Sequence, residues 1–408
     1  METLALILAG GKGTRLDILS EKRSKPAMPF AGKYRIIDFC LSNCVQSNIY
    51  DIAILTQYLP FSLNEHIGAG KPWDLDRRDS SCILLQPHSN WYNGTADAVL
   101  KNLEFVERRN PKYVLILSGD HIYKMDYRKM IEVHKKMNAS LTIAVQQVDI
   151  KEASRFGILN TNSEGYVTSF DEKPKVPKSN LASMGIYIFD FEVLDKILKT
   201  VKNDNLDFGH HIIPYMVENS SDFKVATYLF NDYWQDVGTY ESYLDTNLAL
   251  TKDEIVLDLY DPNWRIFTKS EELPPVKIGA GAKITNSLIS NGCIVYGTVI
   301  NSVLSPGVRV GKGTIIENSV VLNNTIIHKN CKISKSILDK KCIVGEGSQI
   351  GYGDDTKNIE KPDLLESGIS VLEKGTIVPP STQIGKNCRI FQSAKFENKL
   401  VKSGETLR

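Results

Sequence analysis

The sequence has almost no net charge, no long apolar run and no paired cysteines, and each absence excludes something. Its 49 Lys plus Arg against 48 Asp plus Glu leave a formal charge of +1. No global field then recruits nucleic acid or an anionic membrane, and any phosphate recognition has to be local. No uninterrupted apolar stretch approaches the roughly 18 residues of a membrane-crossing helix, and the chain enters a strand without a basic n-region or an apolar h-region. These absences predict a cytoplasmic protein without a membrane or nucleic-acid partner. Seven cysteines (Cys40, Cys44, Cys82, Cys293, Cys331, Cys342 and Cys388) are scattered, odd in number and free of Cys-x-x-Cys spacing, which predicts reduced structural thiols and no zinc site. A Ser-His-Asp or Cys-His constellation is also missing. His121 and the pair His210-His211 lie closest to the motifs below, and none has a nucleophile partner.

What the sequence does have is "ILAGGKGTRL", residues 7 to 16. An apolar run, Leu4 to Ala9, reads as a short buried strand, and Gly10, Gly11 and Gly13 permit backbone conformations closed to residues with a Cβ. The P-loop pattern fails, because Lys12 is followed by Gly13 instead of Ser or Thr. The dinucleotide fingerprint counted from Gly11 fails too, because position 16 is Leu. Backbone N–H groups beside the Arg15 fork suit a polyphosphate; the bland alternative is a glycine-rich turn without a ligand.

At 408 residues the chain accommodates two domains. Through about residue 250, strand-like runs ("DIAILTQ", "YVLILSGD", "LTIAVQQV") alternate with helical ones ("ADAVLKNLEFVERR", "YRKMIEVHKKM"). This pattern predicts an α/β domain, residues 1–250, with a mostly parallel sheet and ligands beyond the carboxyl ends of its strands. A linker follows over 251–275, with "DPNW" and "ELPP". From Val276 isolated Ile, Val or Leu recur every five or six residues among Gly, Asn and Ser, and Ile278-Gly, Val310-Gly and Val344-Gly recur near multiples of about sixteen. A left-handed parallel β-helix is predicted over 276–408.

The chemistry-bearing stretches each have a dull reading beside a functional one. "SEKRSKPAMPF" carries Lys22, Arg23 and Lys25 on a segment stiffened by Pro26 and Pro29; a charge run is otherwise a solvated face. "LSGDHIYKMD" places Asp120 and Asp126 behind a buried strand, where an Asp also serves as a helix cap. "YWQDVGTYESY" adds Asp236, and two carboxylates from distant strands suit a hard-oxygen Mg²⁺ site. "WYNGTADAV" offers Trp91 and Tyr92 for stacking and Gly94, Thr95 and Asp97 at a helix start. "FDEKPKVPKSNLASMGIYIF" presents Glu172 and Lys173 before Pro174, then Ser183. Phosphoryl-type transfer needs positioning, metal and cations more than a covalent nucleophile, so the combination points to nucleotidyl transfer.

In this order the motifs resemble the sugar-nucleotide pyrophosphorylases, most closely the ADP-glucose branch. The resemblance covers essentially the whole chain and rests on "LAGGKGTRL", "KRSKPAMPFAGKYRIIDFCLSN", "WYNGTADAV", "SGDHIYKMDY", "FDEKP", "SMGIYIF", "YWQDVGT" and the C-terminal repeats. It implies a Rossmann-like nucleotidyltransferase domain and the reaction of ATP with glucose 1-phosphate to ADP-glucose and pyrophosphate. It also implies roles. Gly10, Gly11, Gly13, Thr14 and Arg15 would hold the triphosphate, Lys25 would assist the leaving pyrophosphate, and Asp120 with Asp236 would bind Mg²⁺. Gln86, Tyr92, Gly94 and Thr95 fall at nucleotide positions. Tyr92, Gly157, Glu172, Lys173 and Ser183 fall at the glucose 1-phosphate pocket, and Lys22 at a sugar-phosphate activator position. A homotetramer, or a hetero-oligomer with a related subunit, is implied as well. Here "FGHHIIP" replaces the family's usual Phe-Gly-Lys-Asp, with His210 and His211 in place of Lys-Asp. Alternatives from the same resemblance are a UDP- or dTDP-glucose pyrophosphorylase and a catalytically reduced regulatory subunit. A β-helix acyltransferase would have only His328 as its base.

Overall fold

The computed structural model describes residues 2–78, 81–88 and 90–408. The chain folds into two compact units that do not follow chain order: Met1–Gly11, Ile37–Trp234 and Asp261–Phe267 form one, and Lys12–Ile36, Gln235–Tyr260 and Thr268–Arg408 the other. Among the described residues no helix is long and apolar enough to cross a membrane.

The first unit is built on a nine-stranded sheet: β1 (Thr3–Leu8), β2 (Asp51–Leu55), β3 (Ser81–Leu85), β4 (Tyr113–Ser118), β5 (Leu141–Gln147), β6 (Gly157–Thr161), β7 (Val167–Glu172), β8 (Leu181–Asp190) and β9 (Val225–Leu229). Its main path runs β7-β6-β8-β4-β1-β2-β3, with β5 pairing β8 and β9. Leu4 to Ile7 and Val114 to Leu117 are solvent-free, as continuous apolar strands covered on both faces require. The expected mostly parallel sheet is in fact mixed. β1 pairs β2 and β4 in parallel, but β8 runs antiparallel to both β4 and β5, and the β6–β7 hairpin is antiparallel too. The apolar pattern encodes burial and not strand direction. The stretch "ADAVLKNLEFVERR" likewise forms two helices, Thr95–Leu100 and Leu103–Arg109, instead of one.

In the second unit the repeats wind into three parallel sheets of six, seven and seven strands, from Lys277–Ile278 to Thr406–Leu407, the rungs of a left-handed β-helix. Val295, Val310, Ile327, Val344 and Val378 stack in register, each at most 1% exposed. The corners explain the asparagines: Asn286, Asn301, Asn318, Asn324, Asn330 and Asn387 all have positive φ, a backbone region Asn tolerates better than most residues. All seven cysteines are free. Burial pushes the Cys293 and Cys388 thiols up to about 11, where they are poor nucleophiles.

Candidate active site

The glycine stretch divides its work unevenly. Among Gly10, Gly11 and Gly13 only Gly13 takes a positive φ, at 66°. Gly10 lies close to the Gln57 side chain, whereas a Cβ at Gly11 would meet open space. The turn Thr14–Ser20 follows, closed by the Ser20 hydroxyl, which donates to the carbonyls of Gly13 (3.0 Å) and Asp17 (2.9 Å).

Within the second unit two cations of one N-terminal stretch meet an acid more than 200 residues away. Lys25 is buried, and its Nζ lies 2.5 Å from Asp236 Oδ1, while Arg15 Nη2 lies 3.4 Å from Asp236 Oδ2. Gly238 packs against the pair: a Cβ there would come within 2.7 Å of Arg15 Nη2 and 3.0 Å of Asp236 Oδ1. A buried carboxylate between two cations is neutralised locally, and an incoming polyphosphate presents the same cations with more charge. Lys22 Nζ pairs with Glu373 Oε1 (2.7 Å) and donates to Gln392 on the β-helix. Arg23 is buried against Asp339 at 2.5 Å. Burial, with Arg35 and Arg23 adding repulsion, brings the Lys340 ammonium down to about 7, and burial with Arg23 lowers Lys374. Sequence reading noted Lys22 and Arg23 in one charge run and gave the activator position to Lys22; Lys340 and Lys374 lie more than 300 residues away and carry no local motif.

The first unit gathers most of the remaining candidates. Glu172 ends β7 and Lys173 follows it, with Lys173 Nζ 3.0 Å from Glu172 Oε1. Lys173 has φ 48° immediately before Pro174, a conformation that needs support from its surroundings. Gly157 and Gly209 both press on the same carboxylate: a Cβ would approach Glu172 Oε2 to 2.7 and 2.5 Å respectively. On β8 the register shifts between Ser183 and Tyr187, and such irregularities re-aim side chains. Both residues are buried, and burial raises the Tyr187 phenol, with Glu172 and Asp207 adding and a Ser183 hydrogen bond opposing. Asp207 caps the turn Phe208–Ile212: its Oδ1 accepts from the backbone of Gly209 (2.9 Å) and His210 (3.2 Å), and its Oδ2 accepts from the Thr95 hydroxyl (2.7 Å). Burial would raise the Asp207 carboxyl, but these hydrogen bonds win and lower it. His211 Nδ1 accepts from the Asp207 N–H at 3.1 Å. Tyr187 and Asp207 are therefore candidates that sequence reading missed. The only signals were an aromatic in "SMGIYIF" and an acid before "FGHH".

Other candidates sit differently. Tyr92 is buried, accepts from Asn102 at 3.0 Å through its hydroxyl and is clamped through its backbone by Gln57, while Trp91 is exposed. Gly94 lies against the Leu206 carbonyl. Gln86 is exposed just past β3. Asp120 follows β4 and accepts from the Ser118 hydroxyl, with His121 Nε2 3.5 Å away. Asp126 serves as the helix cap, accepting from Arg128 N–H.

A nucleotidyl transferase family model matches residues 4–253, and a GlmU-like C-terminal hexapeptide model matches residues 274–372. The chain is 50% identical to a glucose-1-phosphate adenylyltransferase of Thermomicrobium roseum over 100% of this chain and 97% of that protein. It is 48% identical to one of Thermosipho africanus over 98% of both. With one of Thermotoga maritima it shares 45% identity over 99% of this chain and 98% of the relative.

Proposed function

Because this chain belongs to the glucose-1-phosphate adenylyltransferases of the nucleotidyl transferase family, we infer that it makes ADP-glucose and pyrophosphate from ATP and glucose 1-phosphate, the activated-glucose step of glycogen synthesis. The observation that carries the assignment of chemistry to residues is the Lys25–Asp236–Arg15 constellation. Lys25 and Arg15 exchange the Asp236 carboxylate for the triphosphate, Lys25 staying with the pyrophosphate as it leaves and Arg15 holding the outer oxygens. Glu172, Ser183 and Lys173 receive the sugar phosphate, with Gly157 leaving room beside Glu172. Gly10, Gly11, Gly13 and Thr14 line the phosphates, and Gln86, Tyr92, Gly94 and Thr95 the nucleoside.

Nucleotidyltransferases of this family use a divalent metal. Asp120 and Asp236 are hard oxygen donors fit for Mg²⁺, which when bound would neutralise the two converging phosphates. Asp120→Asn keeps the shape and removes the charge, so kcat for pyrophosphate release should fall about a thousandfold, with ATP binding weakened far less. Asp236→Asn should impair turnover too, and the double variant should be little worse than Asp120→Asn. Near-normal turnover of Asp120→Asn, or strictly multiplicative losses, contradicts a shared cation.

Lys22, with the Arg23, Lys340 and Lys374 cations around it, forms the activator site for a sugar phosphate. The chain is organised as a catalytic domain over 1–250, a linker over 251–275 and the β-helix over 276–408, and it works in the cytoplasm. It assembles as a homotetramer or with a related subunit; exposed Ile278 and Ile284 on the β-helix support association. Light scattering at the 45.7 kDa of one chain would contradict assembly.

A further inference from the structure

Asp17, two residues past Arg15, has φ 41° and ψ −115° within the turn Thr14–Ser20. Only glycine adopts this conformation cheaply, so something outside the turn must impose it. The Asp17 carboxylate supplies the grip. Its Oδ2 accepts from Arg389 Nε at 2.6 Å and from the Tyr240 hydroxyl at 3.2 Å. The same Tyr240 oxygen accepts from the Ile18 N–H at 3.1 Å, and the Ser20 hydroxyl donates to the Asp17 carbonyl. Arg389 is itself fixed. It is 3% exposed on the solenoid strand Arg389–Ile390, lies over the Phe391 ring at 5.3 Å and reaches Glu360 Oε2 at 3.1 Å.

Arg15, by contrast, has a side chain 51% exposed and a 3.4 Å pairing with Asp236. A long, half-exposed side chain with one loose ion pair takes little direction from that pair. Its aim then has to come from the backbone that carries it, and that backbone is pinned at Asp17. A buried ion pair is weak as a source of stability, because desolvation offsets much of the attraction, and its best-attested use is to specify one arrangement.

We propose that Asp17 and Arg389 are positioning residues for Arg15: the last rungs of the β-helix hold the turn Thr14–Ser20 in a strained conformation that aims the Arg15 guanidinium at the nucleotide's phosphates. This rests on the reading of Arg15 as a triphosphate ligand, and it adds that the β-helix takes part in binding ATP through a contact unrelated to Lys22. Asp17 touches no substrate in this account. It acts through the backbone.

The test uses the full-length chain and steady-state pyrophosphate release, with ATP and glucose 1-phosphate varied separately and Tm recorded for each variant. Arg389→Gln and Asp17→Gly should each raise the ATP KM roughly tenfold while the glucose 1-phosphate KM stays within about twofold. The double variant should be no worse than the worse single one, because both act through one contact. Asp17→Asn, which keeps an acceptor and tolerates positive φ, should recover much of the ATP KM. Unchanged ATP KM with a lowered Tm, or the two KM values rising together, overturns the proposal and leaves the pair as a fold anchor. Arg15→Gln separates the two layers: if it leaves the ATP KM and kcat intact, the reading of Arg15 falls and the positioning role with it. If Arg15→Gln is impaired while both tether variants are normal, only the positioning role falls.

Discussion

Lys173 shows how much a single position is asked to do. It is held at φ 48° before Pro174, with its Nζ 3.0 Å from Glu172 and most of the side chain in solvent. That pairing is worth little by itself, so the backbone is the stronger constraint, and under the proposed function it would offer the ammonium beside Glu172 to the sugar phosphate. A charge-assisted hydrogen bond contributes about 1.5–3 kcal/mol, so Lys173→Gln should raise the glucose 1-phosphate KM roughly ten- to a hundredfold with the ATP KM little changed. Equal movement of both constants would place Lys173 elsewhere. Asp236, Lys25 and Glu172 stood in the sequence as charged residues beside Gly, Pro or aromatic neighbours, a signal strong enough to single them out. Tyr187 and Asp207 did not, since their roles come from a register shift in β8 and from the cap of the turn Phe208–Ile212.

Among the elements, the β-helix was the most legible, because its spacing is a direct record of rung geometry. Stacked positions 295, 310, 327, 344 and 378 differ by 15 to 17 residues until residues 351–369 leave the coil. The sheet was less legible. Continuous apolar runs located its strands, yet the antiparallel β8 and the hairpin before it were invisible to a pattern that reports burial only. Inward and outward positions along one face of the coil should differ sharply in stability. Ile327 is buried in the column whereas Ile377 is 62% exposed. Ile327→Ala should cost about 2–5 kcal/mol in chemical denaturation followed by circular dichroism, through lost burial and the cavity left behind. Ile377→Ala should stay within about 0.5 kcal/mol. Similar losses at both sites would contradict the packing described.

For the whole molecule, near-neutrality makes local charge decisive. Lys22, Arg23, Lys340 and Lys374 gather in a protein whose net charge is only +1. Lys340, lowered to about 7 by burial and then by Arg35 and Arg23, is the group that should make regulation pH-dependent. A bound anion favours its protonated form, so a sugar-phosphate activator should bind more tightly at about pH 6 than at about pH 8. Lys340→Met should flatten that dependence, and Lys22→Ala should weaken activation while leaving unactivated turnover nearly intact. An activation constant independent of pH in the native chain would contradict the assignment. The central claim, adenylyl transfer to glucose 1-phosphate, is tested most directly by incubating the purified chain with Mg²⁺, glucose 1-phosphate and, in turn, ATP, UTP, dTTP and GTP, and measuring pyrophosphate released. The account predicts that ATP is used with the highest kcat/KM and that ADP-glucose is the product; a preference for UTP or dTTP, or no release with any of the four, would contradict it.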